Sequence, residues 1–471
     1  MPRPGYRQLP MKCRRIRLLS AIAALLSSGW PIGGLAQMVA PTPQPPGVPV
    51  TPGQAPEVEI QNWAVHGQST FTWMLQPAFR APYTGPQSLQ PDANGRETFD
   101  ATLYAGFRPW AGGEIWINPE VDQGFGLSNT FGVAGYPSGE AYKLGKGDPY
   151  VLVQRGFLRQ TIDLGGEQQA LEPDLNQLGG LQTADRVVLT VGKYSVVDIF
   201  DTNKYAHDPR HDFLNWSIID IGSFDYAANS WGYTYGGTAE WYQNWWALRS
   251  GMFDLSTVPN SNNLSPNFAQ LQFVTEVEER HQLWDQPGSL KLLYWISRGN
   301  LGSYLDAISF GQTIGETPST AAVRTQRTKD GVGLNFTQQI APDFGVFARA
   351  GLSQGTVEEI DFTDINQSIS GGLSLTGSRW GRPDDTFGLA GAINRISHQG
   401  KLYLAAGGLG GIIGDGQLPN AGPEQIFETF YRIGMFDWAH FGLDYQFINH
   451  PAYNRDRGPV SIFTLQIHLQ Y

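Results

Sequence analysis

The sequence predicts an all-β fold, a transmembrane antiparallel β-barrel of about 16 to 18 strands. Three observations favour it. Short segments alternate strictly between apolar and polar side chains, and the connections between them alternate between short and long. No stretch approaches the roughly 20 consecutive apolar residues of a membrane-spanning helix. Removing a 36-residue export signal from the 471 residues leaves 435, which is room for these strands and their loops.

Residues 1–36 are a predicted signal peptide. Six basic residues and no acid precede an apolar run from Leu18 to Trp30, and small residues allow cleavage after Ala36. The run is too short to span a bilayer as a helix. The pair Arg14-Arg15 also admits twin-arginine export.

Residues 37–60 are a predicted proline-rich periplasmic leader, with seven prolines from Pro41 to Pro56. Such a composition gives an extended, semi-rigid tail outside any packed domain. The tail either reaches a partner in the periplasm or is a leader without one. The barrel is assigned to residues 61–471.

The final strand shows the alternation most clearly, in the sequence "SIFTLQIHLQY". Its apolar row ends in Leu465, Ile467, Leu469 and Tyr471, and the residues between them are polar. The same pattern occurs in "TFDATLYAGF", "GVGLNFTQQ", "HFGLDYQFI" and "LQFVTEVEER". Alternation alone also fits a soluble sandwich with one wet face. The lengths of the connections between strands distinguish the two interpretations.

Tight turns are predicted at 108–112, 341–345 and 435–440, and long polar connections at 121–149, 196–236 and 361–385. Short periplasmic turns at one rim and long extracellular loops at the other are typical of outer-membrane barrels. An open sheet edge cannot exist in lipid. The last strand is therefore expected to pair with the first, around "HGQSTFTW".

Composition argues against a nucleic-acid partner and against a need for disulfide bonds, and it suits a barrel. The formal net charge is −11, and it becomes −17 when the six basic signal residues are removed, which argues against nucleic acid as a partner. The single cysteine, Cys13, lies in the signal, so the exported chain needs no disulfide. The 57 glycines, 14 tryptophans, 19 tyrosines and 25 phenylalanines suit barrel turns and interfacial aromatic belts.

Long segments of the sequence resemble the carbohydrate-selective porins of the OprB type. They include "HGQSTFTWMLQPAFRAPYTGPQSL", "IWINPEVDQGFGLSNTFGVAGYPSGEAYK", "GKYSVVDIFDTNKYAHDPRHDFLNWSIIDIGSFDYAANSWGYTYGG", "VFARAGLSQG" and "YQFINHPAYNRDRGPVSIFTLQIHLQY". The resemblance implies a 16-stranded outer-membrane barrel that admits monosaccharides, with loops folded into the lumen as a constriction. The chain departs from the family in its proline-rich leader and in ending on Tyr471 where the family usually ends on Phe.

No catalytic site, metal site or cofactor is predicted. The sequence has no G-x-S-x-G elbow, no phosphate-binding loop and no dinucleotide fingerprint, and its eight histidines lack zinc-ligand spacing. Transport through such a barrel would be passive. The predicted partners are carbohydrate solutes, outer-membrane lipid and lipopolysaccharide, and further copies of the chain if the barrel is a trimer and not a monomer.

Pore selectivity depends on charged and hydrogen-bonding groups at the narrowest point. A charge on the lipid face near the membrane centre would cost about 2–4 kcal/mol, so charged strand residues are expected to face the lumen. The candidate pore-lining or constriction residues are Glu120, Arg155, Arg159, Asp198, Asp201, Lys204, Arg210, Arg349, Glu428 and Arg432.

The connection 196–236 is predicted to fold into the channel and narrow it, or else to be an external loop with solvated or ion-bridging charges. Three functions remain open from the residues. These are a sugar-selective porin, a general or anion-selective porin, and a secreted β-rich glycosidase, which would need two positioned carboxylates.

Overall fold

The computed structural model describes residues 60–141, 145–361 and 363–471. The predicted signal peptide, and the predicted leader except its last residue, lie outside these ranges.

Within the described residues the chain forms sixteen antiparallel strands, and each strand pairs with its neighbours in sequence. Their bounds are β1 Trp63–Gln76, β2 Asn94–Phe107, β3 Gly113–Gly124, β4 Lys146–Leu171, β5 Gly180–Tyr194, β6 Thr234–Gln243, β7 Trp246–Asp254, β8 Leu271–Leu283, β9 Gln286–Leu301, β10 Thr325–Ala341, β11 Phe344–Ser353, β12 Gln367–Gly377, β13 Arg382–Arg395, β14 Glu424–Phe436, β15 Ala439–Asn449 and β16 Val460–Gln470.

The barrel closes where β16 pairs with β1. The register places Gln470 opposite Gln68 and Phe463 opposite Leu75, and Thr70 and His468 share a hydrogen bond of 3.1 Å. The expected closure and the all-β barrel fold are confirmed. Closure satisfies the backbone donors and acceptors of both outer strands, which an open sheet in lipid would leave unpaired.

Connections alternate in length around the barrel. Six of the seven connections on the rim that carries the chain ends have two to five residues, whereas the described residues between β3 and β4, residues 195–233 and residues 396–423 form long loops on the opposite rim. The prediction of a single long connection over 361–385 was wrong. Those residues contain the end of a loop, strand β12 and the short turn 378–381. The prediction missed the strand because the polar Ser and Gly residues of β12 hide its alternation.

Apolar rows face outward and polar rows face inward. Leu465 and Ile467 are about two-fifths exposed, whereas the intervening Gln466 and His468 are buried. Aromatic residues mark the short-turn rim, and they are exposed by 40% or more at Trp63, Trp110, Trp245, Trp284, Trp380, Trp438 and Tyr471. Such a belt places amphipathic rings at the membrane–water interface.

Among the residues that the structure describes, three α-helices lie in the long connections, α1 (Trp216–Ile219), α2 (Tyr304–Ile314) and α3 (His398–Ala405). Ser303 and Ser397 cap the last two, each accepting a bond from a backbone amide of the first turn. None of the helices among the described residues has the length and apolar character needed to cross a membrane.

The β5–β6 loop, residues 195–233, folds into the lumen and packs on the inner face of β8–β15. Glycines on the inner wall make room for it. A Cβ at Gly333 or Gly351 would meet the side chain of Ile221, and one at Gly345 would meet the ring of Tyr205. One half of the barrel interior is therefore a packed core, and the open space lies along the other half.

Candidate functional site

Buried ion pairs fasten the β5–β6 loop to the wall. The Arg349 guanidinium donates to the Asp201 carboxylate at 3.1 Å and to the carbonyl oxygens of Asp201 and Ile218 at 2.9 and 2.8 Å. Lys329 pairs with Asp225 of the loop at 2.6 Å. All four charged side chains are at most 2% exposed, so they hold the loop where water cannot screen them.

Glu428 also forms hydrogen bonds with the backbone of the β5–β6 loop. Its carboxylate accepts from the amides of Leu214 and Asn215 at 2.5 and 3.1 Å, at the start of α1. Arg432, four residues further along β14, donates to the carbonyl oxygen of Asp212 at 3.2 Å. These contacts fix the second half of the loop, which crosses the lumen.

A cavity of about 390 Å³ lies between the loop and the inner faces of β2–β6. Its volume falls in the range of about 300–1,000 Å³ that small-molecule sites occupy. Of the ten predicted residues, five line this cavity, namely Glu120, Arg155, Arg159, Asp198 and Arg210. The other five, Asp201, Lys204, Arg349, Glu428 and Arg432, do not line it. Lys204 instead donates to Gln339 at 3.1 Å.

Arg155 and Asp198 form the first charged pair of the cavity. The guanidinium donates twice to the carboxylate, at 2.8 Å from Nε and 2.6 Å from Nη2. It also lies over the ring of Tyr233, 5.0 Å from the ring centre. The Ser195 amide donates to the same carboxylate at 3.0 Å. The planar pair is thereby held at a fixed angle above an aromatic face.

Arg159 is four residues along β4 from Arg155 and points to the same side. It lies 3.5 Å from the Glu114 carboxylate, which Arg108 approaches at 3.4 Å from the other side. The Trp116 indole also donates to Glu114, at 3.0 Å. This pair lies nearer the short-turn rim, because Glu114 is the second residue of β3.

Arg210 of the infolded loop faces three carboxylates. It lies 3.3 Å from Asp100, 3.3 Å from Glu140 and 3.9 Å from Glu120. Burial raises the pKa of Glu140 well above its usual value, and the Arg210 charge opposes this rise. Thr102 donates to Glu120 at 2.5 Å. The group spans the barrel wall and two loops, so Arg210 bridges elements that are far apart in sequence.

Several cavity residues were not among the candidates, namely Tyr104, Glu114, Glu140, Tyr233 and, as a partner of Arg210, Asp100. Asp100 and Tyr104 were recognisable as members of the polar row of "TFDATLYAGF", which the alternation assigns to the lumen. Glu140 and Tyr233 lie in loops, where alternation gives no direction. In the part of the chain that the structure describes, no cluster of three or more His, Cys, Asp or Glu could hold a metal ion.

A closed barrel with an apolar outer surface, an aromatic belt and a charged cavity in its lumen is an outer-membrane channel. The family comparison gives the particular class. The chain belongs to the carbohydrate-selective porin, OprB family, whose sequence model matches residues 86–471. It is thus a porin of the bacterial outer membrane, and carbohydrate solutes are its partners.

One of the solved structures compared with the chain shows the same fold. The high-pH structure of Pseudomonas putida OprB matches with a TM-score of 0.65 and 14% identity, over 87% of this chain and 94% of that chain. The low-pH structure of that protein gives a TM-score of 0.47, 9% identity and coverages of 87% and 93%. The channel DcaP of Acinetobacter baumannii gives a TM-score of 0.44 and 10% identity, over 87% of this chain and 97% of that chain. No curated protein matches the chain.

Proposed function

We propose that the cavity along β2–β6 is the selective passage and that it admits neutral monosaccharides, such as glucose, by passive diffusion. The observation that carries this is charge pairing. Arg155, Arg159 and Arg210 each face a carboxylate across the cavity wall. A paired wall offers fixed donors and acceptors to the hydroxyl groups of a solute.

The composition of the lining argues against the anion-selective alternative. Eight carboxylates and four arginines line the cavity within the described residues. An excess of acids would repel an anion from a site of low dielectric constant. A neutral solute escapes that repulsion, and it can still exchange hydrogen bonds with both charge types.

Aromatic faces supply the second half of sugar recognition. Tyr104 and Tyr233 line the cavity beside the Arg155–Asp198 pair. Arg155 already covers one face of Tyr233, so a hexose ring contacts only the parts of the two rings that line the cavity while its hydroxyl groups reach the charged pair. A general porin would need no such combination of flat apolar surface and fixed polar groups.

The two sets of predicted residues then have different roles. Glu120, Arg155, Arg159, Asp198 and Arg210 bind or orient the solute, whereas Asp201, Lys204, Arg349, Glu428 and Arg432 join the loop that narrows the lumen to the barrel wall. We also propose that the chain has no catalytic function, as membership of a channel family supports. Residues 37–60 would be a periplasmic tail that contributes no strand.

The test compares liposome swelling rates in glucose, a disaccharide and an amino acid of similar size, for the native chain and for Arg155→Ala. We expect fast swelling only in glucose for the native chain, and a reduced preference for the variant. Arg379→Ala is the matched control, because Arg379 pairs with Asp343 on an exposed short turn outside the lumen. Equal native rates for sugars and for matched non-sugars would leave only a general porin.

A further inference from the structure

The β4–β5 connection differs from every other connection on its rim. Strand β4 has 26 residues, and it continues about ten residues beyond Gln160, which pairs with the start of β3. The turn after it, residues 172–179, has eight residues, whereas the other six connections of this rim have two to five. We call residues 172–179 the tip.

The hairpin bends inward and does not project straight into the periplasm. Two register shifts in the pairing of β4 with β5 flank Gly165. Gly165 and Gly166 have φ values of 117° and 84°, a region open to glycine at little cost. A bulge of this kind bends a strand pair and changes the direction of the residues beyond it. Here it turns the tip back toward the barrel axis.

The tip is docked under the lumen by its own side chains and by two arginines. Leu175 and Leu178 are 6% and 0% exposed, and they belong to the same apolar cluster as Trp116 of β3. Arg159 donates to the Asn176 carbonyl at 2.8 Å, and Arg108 donates to the Gly179 carbonyl at 3.3 Å.

The edge of the tip is held by the backbone that leads into β1. The Gln61 amide donates to the Gly179 carbonyl at 3.1 Å, and the Gly179 amide donates to the Gln61 side chain at 3.0 Å.

The docked tip lines the same cavity as Arg155, but at its periplasmic end. Leu175, Asn176 and Gln177 face that cavity, opposite Arg186 and Tyr242. A solute that has passed Arg155 therefore meets the tip before it reaches the periplasm.

Polar atoms at this end lack protein partners. They are Oδ1 of Asn176, Nε of Arg186 and Oγ1 of Thr190, all on residues that line the cavity. Arg186 is 9% exposed and Thr190 4%. An unpaired buried polar atom costs free energy, and a solute hydroxyl could relieve that cost. Thr190 lies directly across the strand pair from Arg159, so these atoms continue the row of arginines toward the exit.

We propose that the tip forms a second, periplasmic constriction, in which Asn176, Arg186 and Thr190 bind the hydroxyl groups of a small polyhydroxylated solute leaving the channel. The steric part of the proposal requires only that the chain conducts, whereas the binding part rests on the proposed function, because its test uses glucose. The size limit of the channel is then set at two places, one at the Arg155–Asp198 pair and one at the tip.

The first test replaces residues 172–179 by Asn-Gly. Leu171 and Gly180 are a direct cross-strand pair, so a two-residue turn joins them without strain. We expect a larger single-channel conductance in salt solution, measurable without any sugar, and faster liposome swelling in disaccharides. A variant that keeps heat-modifiable migration, and hence a folded barrel, but conducts as the native chain does would overturn the proposal.

The second test needs no deletion. A cysteine is placed at Gln177, which faces the cavity, or at Glu167, which is exposed on the same hairpin. The predicted exported chain has no other cysteine. A bulky methanethiosulfonate added from the periplasmic side should reduce the current of the Gln177→Cys channel by at least half and leave the Glu167→Cys channel unchanged. Equal effects at both positions would refute the second constriction.

The third test asks whether the Thr190 hydroxyl binds a hydroxyl group of the solute. Thr190→Val removes one hydroxyl at constant shape, and it should weaken the block of ion current by glucose about fivefold, the effect of one hydrogen bond. Thr275→Val, whose hydroxyl bonds Ser250 away from the cavity, is the control. Unchanged block in Thr190→Val, with a positive result for the tip replacement, would restrict the tip to a steric role and refute the binding part.

Discussion

Arg349→Met should release the β5–β6 loop from the wall. The change removes three donated hydrogen bonds and leaves the Asp201 carboxylate, which is fully buried, without its cation. Breaking a buried pair by removing one partner costs about 3–5 kcal/mol. Each 1.4 kcal/mol is a factor of ten, so the ratio of docked to released loop should fall by about two to four powers of ten.

The assay is single-channel recording of the purified variant. We expect a higher mean conductance and larger current fluctuations, while heat-modifiable migration in detergent gels shows that the barrel persists. The barrel should survive because the pairing of β11 with its neighbouring strands uses backbone groups that the substitution does not touch.

The double variant Asp201→Asn with Arg349→Met separates charge from packing. It removes both charges, so no unpaired ion stays buried, and we expect a smaller change in conductance than in Arg349→Met alone. The reasoning is refuted if Arg349→Met conducts as the native channel does, or if the double variant is as strongly affected as the single one.

Other parts of the molecule support three more predictions. Deleting residues 38–59 should leave single-channel conductance unchanged, since β1 begins only at Trp63; a collapse of conductance in a folded deletion would assign the leader to the pore. Gly351→Leu should displace Ile221 and raise conductance, whereas Gly156→Leu, at a strand glycine where an added Cβ meets nothing, should not. Burial raises the pKa of Asp174 to about 7, so the docked tip favours the neutral acid. Its docking should be strongest below about pH 4, where the undocked acid is also neutral, and should weaken as the pH rises toward 7. Conductance should then be higher at pH 8 than at pH 5, and Asp174→Asn should abolish the difference.

The alternation of side chains was sufficient to predict the barrel, because lipid on one side and a polar lumen on the other impose a period of two on every strand. It also placed Arg349 and Glu428 on the inner face, where the structure has them. It could not reveal what those residues meet. Their partners Asp201 and Leu214 lie 148 and 214 positions away in sequence, in a loop that has no period.

The division of the lumen into a packed half and an open half was likewise not predictable. Arg155 and Arg349 have equivalent sequence contexts, an arginine on the polar face of a strand, yet one lines the cavity and the other lies beneath the loop. The difference arises from glycines such as Gly333 and Gly351, which admit the loop on one wall only. The inward bend at Gly165 was missed because a Gly-Gly step within a strand pattern does not indicate its direction.

The pairing of the last strand with the first also constrains the order of assembly. Thr70 and His468, which meet at this junction, are 398 positions apart. Chain entropy makes joining such distant ends about 3 kcal/mol more costly than closing a ten-residue hairpin. The other pairings join consecutive strands and can form as the chain emerges. Until Val460 and the residues after it arrive, β1 and β15 present free edges that lipid cannot accommodate. Pairing of the C-terminal strand is therefore the step that commits the sheet to the membrane. A chain that ends before this strand should remain an open sheet, which other proteins can bind or degrade.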